Sequence, residues 1–65
     1  MTLRQLADEY TASAEKLVRG LERIRRQRAT ARGELAIELE RREEVMRQEL
    51  TDLRSISRYL REYYA

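Results

Sequence analysis

The stretch RATARGE, residues 28–34, joins two apolar seams that are out of phase by one residue, and its reading decides the fold. Before it, Leu3, Ala7, Tyr10, Ala14, Leu17, Leu21, Ile24 and Arg28 recur at alternating intervals of four and three. That spacing lines one side of an α-helix as a heptad seam. After it, Ala36, Leu39, Glu43, Met46, Leu50, Leu53, Ser57, Leu60 and Tyr64 recur at the same intervals, with Leu35, Ile56 and Tyr63 beside them. Carrying the first frame onward would instead turn Leu35, Glu38, Arg42 and Glu49 inward, a mostly charged set. Gly33 costs roughly 1 kcal/mol inside a helix relative to alanine but is favoured just past a helix end. Two architectures follow. One is a single rod of about 90 Å that dimerises with a skip in its coiled coil. The other is an antiparallel hairpin of two helices, each about 40 Å long.

Charge placement favours the hairpin. Residues 19–32 carry six arginines against Glu22 alone, and residues 33–49 carry six glutamates against Arg41, Arg42 and Arg47. Arginine at the end of one helix and glutamate at the start of the next both suit the helix dipole. In a continuous helix neither block would meet a terminus. The expected fold is therefore all-α: helices over about 2–29 and 34–63, a turn near 30–33, and one domain covering residues 1–65. Thr2 followed by Gln5 matches a capping box that starts the first helix at residue 2 or 3.

A turn centred near 31–32 implies that facing residues carry numbers summing to about 63 in such a hairpin. This pairs Ile24 with Leu39, Val18 with Val45, Leu17 with Met46, Tyr10 with Leu53, Ala7 with Ile56 and Leu3 with Leu60. It also sets Arg19 by Glu44, Arg23 by Glu40 and Arg25 by Glu38. Chains of this size bury only about 60% of their unfolded surface, and with no cysteine there is no disulfide to compensate. The second seam is broad, as in a bundle. Two hairpins are thus expected to dimerise into a four-helix bundle, with Glu43 and Ser57 setting its register and the orientation of the copies left open.

Composition excludes more than it assigns. The chain has no histidine, so it lacks the usual general base and the Glu-x-x-His pattern of di-metal bundles. Ser13, Ser55 and Ser57 therefore have no histidine to activate them. Lys16 lies beside Glu15 among solvated positions, and Gly20 and Gly33 are isolated rather than part of a phosphate loop. No enzyme activity, cofactor, metal or small-molecule substrate is expected. No apolar run approaches a membrane span, and MTLRQLADEY is not a signal-peptide core, so the expected compartment is the cytoplasm.

Two surfaces are candidate sites. RGLERIRRQR, residues 19–28, holds five arginines, of which Arg19, Arg23 and Arg25 have expected glutamate partners. Arg26, Arg28 and, beyond it, Arg32 are left to contact nucleic acid near the turn, by phosphate contacts that would be salt-sensitive. No aromatic residues interleave them, so base stacking is not expected there. SRYLREYYA, residues 57–65, gathers Tyr59, Tyr63 and Tyr64 into a candidate protein interface, tyrosine being enriched at such sites. The alternative is that Tyr63 and Tyr64 cap the core over Leu3 and Leu6 while Tyr59 stays exposed.

The opening MTLRQLADEYTASAEKL and the close LTDLRSISRYLREYYA resemble the ends of short helical hypothetical proteins, of uncharacterised activity, from Gram-positive bacteria and their mobile elements. Those pair an N-terminal TL..L...Y..SA..L with a C-terminal L...YY. The resemblance covers both ends and little of the middle. It implies a bacterial, phage or conjugative-element origin and no mechanism. The expected architecture is also similar to that of Rop-type plasmid copy-number regulators, which bind paired RNA loops, without a residue-level match. The functional expectation is a non-enzymatic interaction protein acting by self-association and docking on a protein partner. The alternative is an accessory regulator that binds RNA or DNA through the arginines near the turn.

Overall fold

The computed structural model describes residues 2–64; Met1, Ala65 and the side chain of Tyr64 lie outside the described residues. Two helices, α1 (Leu3–Thr30) and α2 (Glu34–Tyr64), fold back on one another as a hairpin 47 Å long and 16 by 14 Å across. The capping box closes as expected. The Gln5 amide donates to Thr2 Oγ1 at 3.1 Å, and the Thr2 amide donates to Gln5 Oε1 at 2.8 Å. Two of the amides that every helix start leaves unpaired are thereby satisfied.

The chain leaves α1 through Ala31, whose amide donates to the Arg28 carbonyl, and the Thr30 hydroxyl donates to the Gln27 carbonyl. Gly33 then takes the left-handed conformation at φ 64°, and its carbonyl accepts the Ile37 amide in the first turn of α2. The glycine thus stands directly before the second helix rather than directly after the first. A β-carbon at Gly33 would meet nothing within 4 Å. Backbone conformation alone, not space, calls for glycine there.

The two seams form the interface between the helices. Ala7, Ala14, Leu21, Ile24 and Leu39 are buried, as are the polar seam residues Glu43 and Ser57, each 7% exposed. Gly20, which borders the first seam, is buried as well, because Met46 lies across it; a β-carbon at position 20 would sit 2.7 Å from Met46 Cε. Among the described residues no large side chain is completely buried. One layer of contact between two helices leaves every long side chain with a wet edge.

The level-by-level pairing is right for Tyr10 and Leu53, which line one groove. At other levels the structure shows contacts outside that pairing, and one expected couple lies apart. Met46 covers Gly20. Ala7 receives Ser57, while Ile56 stands 40% exposed. Val18 and Val45 line grooves on opposite sides of the hairpin. The cause is geometric. Equal height along the axis does not bring two residues together unless they also flank the seam on the same side.

Replacing Gly33 by alanine forces a β-carbon into the left-handed region at a cost of about 1 kcal/mol. Thermal unfolding followed by circular dichroism should show a midpoint lower by about 4–8 °C, while Gly33→Asn should lose less, asparagine tolerating that conformation better.

Candidate interaction surfaces

Each seam has two flanks, and in the hairpin like flanks fall together. The first is polar. Thr11, Glu15 and Val18 of α1 and Arg54, Arg58 and Arg61 of α2 line a groove along it. Arg61 donates to Asp8 at 3.0 Å and to the Thr11 hydroxyl at 3.2 Å. Thr11 in turn donates to the Ala7 carbonyl at 3.0 Å and stands 2.9 Å from Ser57 Oγ, which reaches the same carbonyl at 3.4 Å. The buried serine is thereby satisfied from within the fold, which removes the cost of burying a hydroxyl. Stepping seven residues along both helices from Asp8 and Arg61 brings Glu15 to the level of Arg54, then Glu22 to the level of Arg47. Of these three levels the first closes an ion pair, Asp8 with Arg61, while the other two set an acid of α1 at the height of a base of α2 without one among the described residues.

Nearer the turn, on the same flank, Glu43 accepts from Arg28 Nη1 at 2.6 Å and lies 3.6 Å from Arg25 Nε. The carboxylate is buried, and both guanidinium groups are about half exposed, so they satisfy it without being buried themselves. Glu43 is held where the seam calls for an apolar residue because two arginines of the other helix reach over it.

This corrects the expected ion pairs. Among the described residues the pairs are Arg25–Glu43, Arg28–Glu43 and Arg61–Asp8. Arg19 with Glu44, Arg23 with Glu40 and Arg25 with Glu38 are not among them: Arg19 lies on the outer face of α1, and each of the other two couples stands on different sides of the seams. Of the candidate nucleic-acid contacts, Arg28 is engaged by Glu43, while Arg26 and Arg32 are exposed and make no ion pair among the described residues.

The second flank is apolar. Leu35, Ile56 and Tyr63 recur along it with Arg42 and Glu49 at seven-residue steps, and Val45, Asp52 and Tyr59 stand one row further out. Leu6, Tyr10 and Leu53 line one groove here, and Val45 and Met46 with Arg41 and Arg42 line another. Six large apolar residues are 40% or more exposed among the described residues, and all but Ile37 are on this side. The exposed apolar surface is therefore one stripe rather than scattered points.

Tyr59 and Tyr63 stack on each other, ring centres 6.2 Å apart, at 66% and 69% exposure. Tyr63 therefore does not cap the core, contrary to that expectation, and Tyr59 is exposed as expected. The side chain of Tyr64 lies outside the described residues. Among the described residues no group of three or more His, Cys, Asp or Glu side chains could hold a metal ion, and no helix is long and apolar enough to cross a membrane.

Comparison with known proteins adds no relative: no family model, no curated protein and no solved structure matches the chain.

The charge cluster at Glu43 is open to a direct test. Glu43→Gln and Arg28→Gln should each lower stability by about 1 kcal/mol, between an exposed ion pair and a buried charged hydrogen bond, because the carboxylate is buried and the arginines are half exposed. Urea unfolding of the double variant should show a loss smaller than the two single losses combined, since the residues act on one another.

Proposed function

We propose that this chain is a non-enzymatic interaction protein of the cytoplasm that works by associating with a second copy of itself and docking on a protein partner. The observation that carries the reading is the contrast between the two flanks. One is polar and closed in part within the hairpin, by Arg61 on Asp8 and by Arg25 and Arg28 on Glu43. The other presents Leu35, Val45, Ile56, Tyr59 and Tyr63 to solvent beside the half-buried Leu6, Tyr10 and Leu53. A stripe of this kind marks an interaction site. Burying it would supply the closed core that two helices alone do not make, which is the role of a four-helix bundle. The stacked tyrosines at the terminal end are then the natural anchors for a protein partner. An origin among the short helical proteins of Gram-positive bacteria and their mobile elements belongs to the same proposal, and rests on the motifs at the two chain ends.

A second reading is supported by Arg26 and Arg32, which are exposed beside the turn without an ion pair. In it the chain is an accessory regulator that holds RNA or DNA by its phosphates. Changing Arg26, Arg28 and Arg32 together to glutamine would then abolish retention of nucleic acid at low salt.

Light scattering behind a sizing column separates the readings. A homodimer gives twice the 7.8 kDa chain mass without bound nucleic acid. Ile56→Glu, placing a charge in the apolar stripe, should shift the species to monomer or unfold it, while Arg58→Glu on the polar flank should leave the dimer intact. A wild-type monomer, or a dimer indifferent to Ile56→Glu, would count against self-association through this face.

A further inference from the structure

The apolar flank carries a charge gradient along its length. In the half nearest the chain ends it bears Glu9 and Asp52, both exposed and with no basic residue among them. In the half nearest the turn it bears Arg23, Arg41 and Arg42, also exposed, against Glu38. Lys16 and Glu49 stand at the middle, at the same level of the hairpin, and offset each other there. From this gradient we infer that the second copy lies on this face with its turn at the opposite end. The inference rests on the self-association proposed above and adds its orientation.

The physical argument is one of charge complementarity. A two-fold axis through the middle of the face sets the acidic half of each copy against the basic half of the other, twice over. The reverse arrangement, with both turns at one end, stacks Glu9 and Asp52 on their own counterparts and the three arginines on theirs. Such rim charges contribute little affinity, but they decide between orientations whose apolar contacts are alike. The area is sufficient. The 47 by 16 Å outline of the hairpin matches the roughly 800 Å² that each partner brings to a standard interface.

Two consequences follow. The Tyr59–Tyr63 pair of each copy comes to the rim of the shared face, at the turn end of the other copy, where the outer ring edges stay open to a protein partner. The arginines near the two turns, Arg26 and Arg32, form separate patches at opposite ends rather than one.

The chain has no cysteine, so one introduced thiol labels one position. Arg32→Cys carries a spin label at the turn, on an exposed residue without an ion pair among the described residues. Pulsed dipolar spectroscopy on the full chain, with solution mass measured on the same sample, reads the orientation. Opposed turns give a label-to-label distance near the 47 Å length of the hairpin. Turns at one end bring the labels within about 20 Å, two helix spacings. A dimer with the long distance supports the inference. A dimer with the short one overturns the orientation and leaves self-association standing. A monomeric mass with no dipolar signal overturns both. Arg41→Glu with Arg42→Glu removes the gradient and should weaken the dimer or admit the short distance alongside the long one.

Discussion

A straight helix through residues 28–34 would have to carry its apolar side across a shift of one residue, and so bury charge on one side of that point or expose the seam on the other. Turning back at Gly33 removes the conflict, because each seam then needs to be continuous only over its own helix. The left-handed φ of 64° at that glycine is the local form of this constraint. The rest of the molecule follows from it. Ala7, Ala14, Leu21 and Ile24 gain a surface to pack on, Met46 reaches across Gly20, and Glu43 comes within reach of Arg25 and Arg28.

The polar residues within the seams are the specific part of the interface. Leucines and alanines at heptad spacing would pack at several registers, each a turn or a heptad apart. Ser57 is satisfied only where Thr11 and the Ala7 carbonyl stand opposite, and Glu43 only where two arginines overhang it. Sliding the helices by one turn would leave a buried hydroxyl and a buried carboxylate without partners, a cost of several kcal/mol. Such residues contribute less to stability than leucine would, and they select one arrangement. The same logic separates the two flanks. Where acid is paired with base within the hairpin, the surface is complete. Where Val45 and Ile56 face water, a further surface is called for.

Most of the architecture can be read from residue types and spacing. The two seams, the capping box at Thr2 and Gln5, and the turn at Gly33 each follow from a local rule, and the helix ends fall within a residue or so of the positions those rules give. Even the burial of Glu43 and Ser57 follows from their place in the seam. The ion pairs do not follow from height along the axis alone. Arg25 and Glu38 stand at similar heights but flank the seam on different sides, whereas Arg25 and Glu43 share a side. Assigning each residue to a flank before pairing it would have found the step from Asp8 and Arg61 to Glu15 and Arg54. Gly20 also gave a signal, a helix-weakening residue one place before a seam leucine, which is where a close approach of the helices needs the smallest side chain. The stacking of Tyr59 on Tyr63 is an i, i+4 contact on one helix and was equally open to reading. What spacing cannot supply is the partner of an exposed stripe, since an amphipathic flank looks the same whatever covers it.

The reversal of the chain at Gly33 is the claim on which all of this stands, and the Thr11 and Ser57 hydroxyls, 2.9 Å apart across the two helices, offer the closest test of it. With Thr11→Cys and Ser57→Cys in a chain that has no other cysteine, mild oxidation should close a disulfide within one chain. On a non-reducing denaturing gel the product should migrate faster than the reduced chain, at the mass of one chain. A continuous rod would hold those positions some 70 Å apart and would yield only chains linked to one another, a result that would contradict the hairpin and everything derived from it.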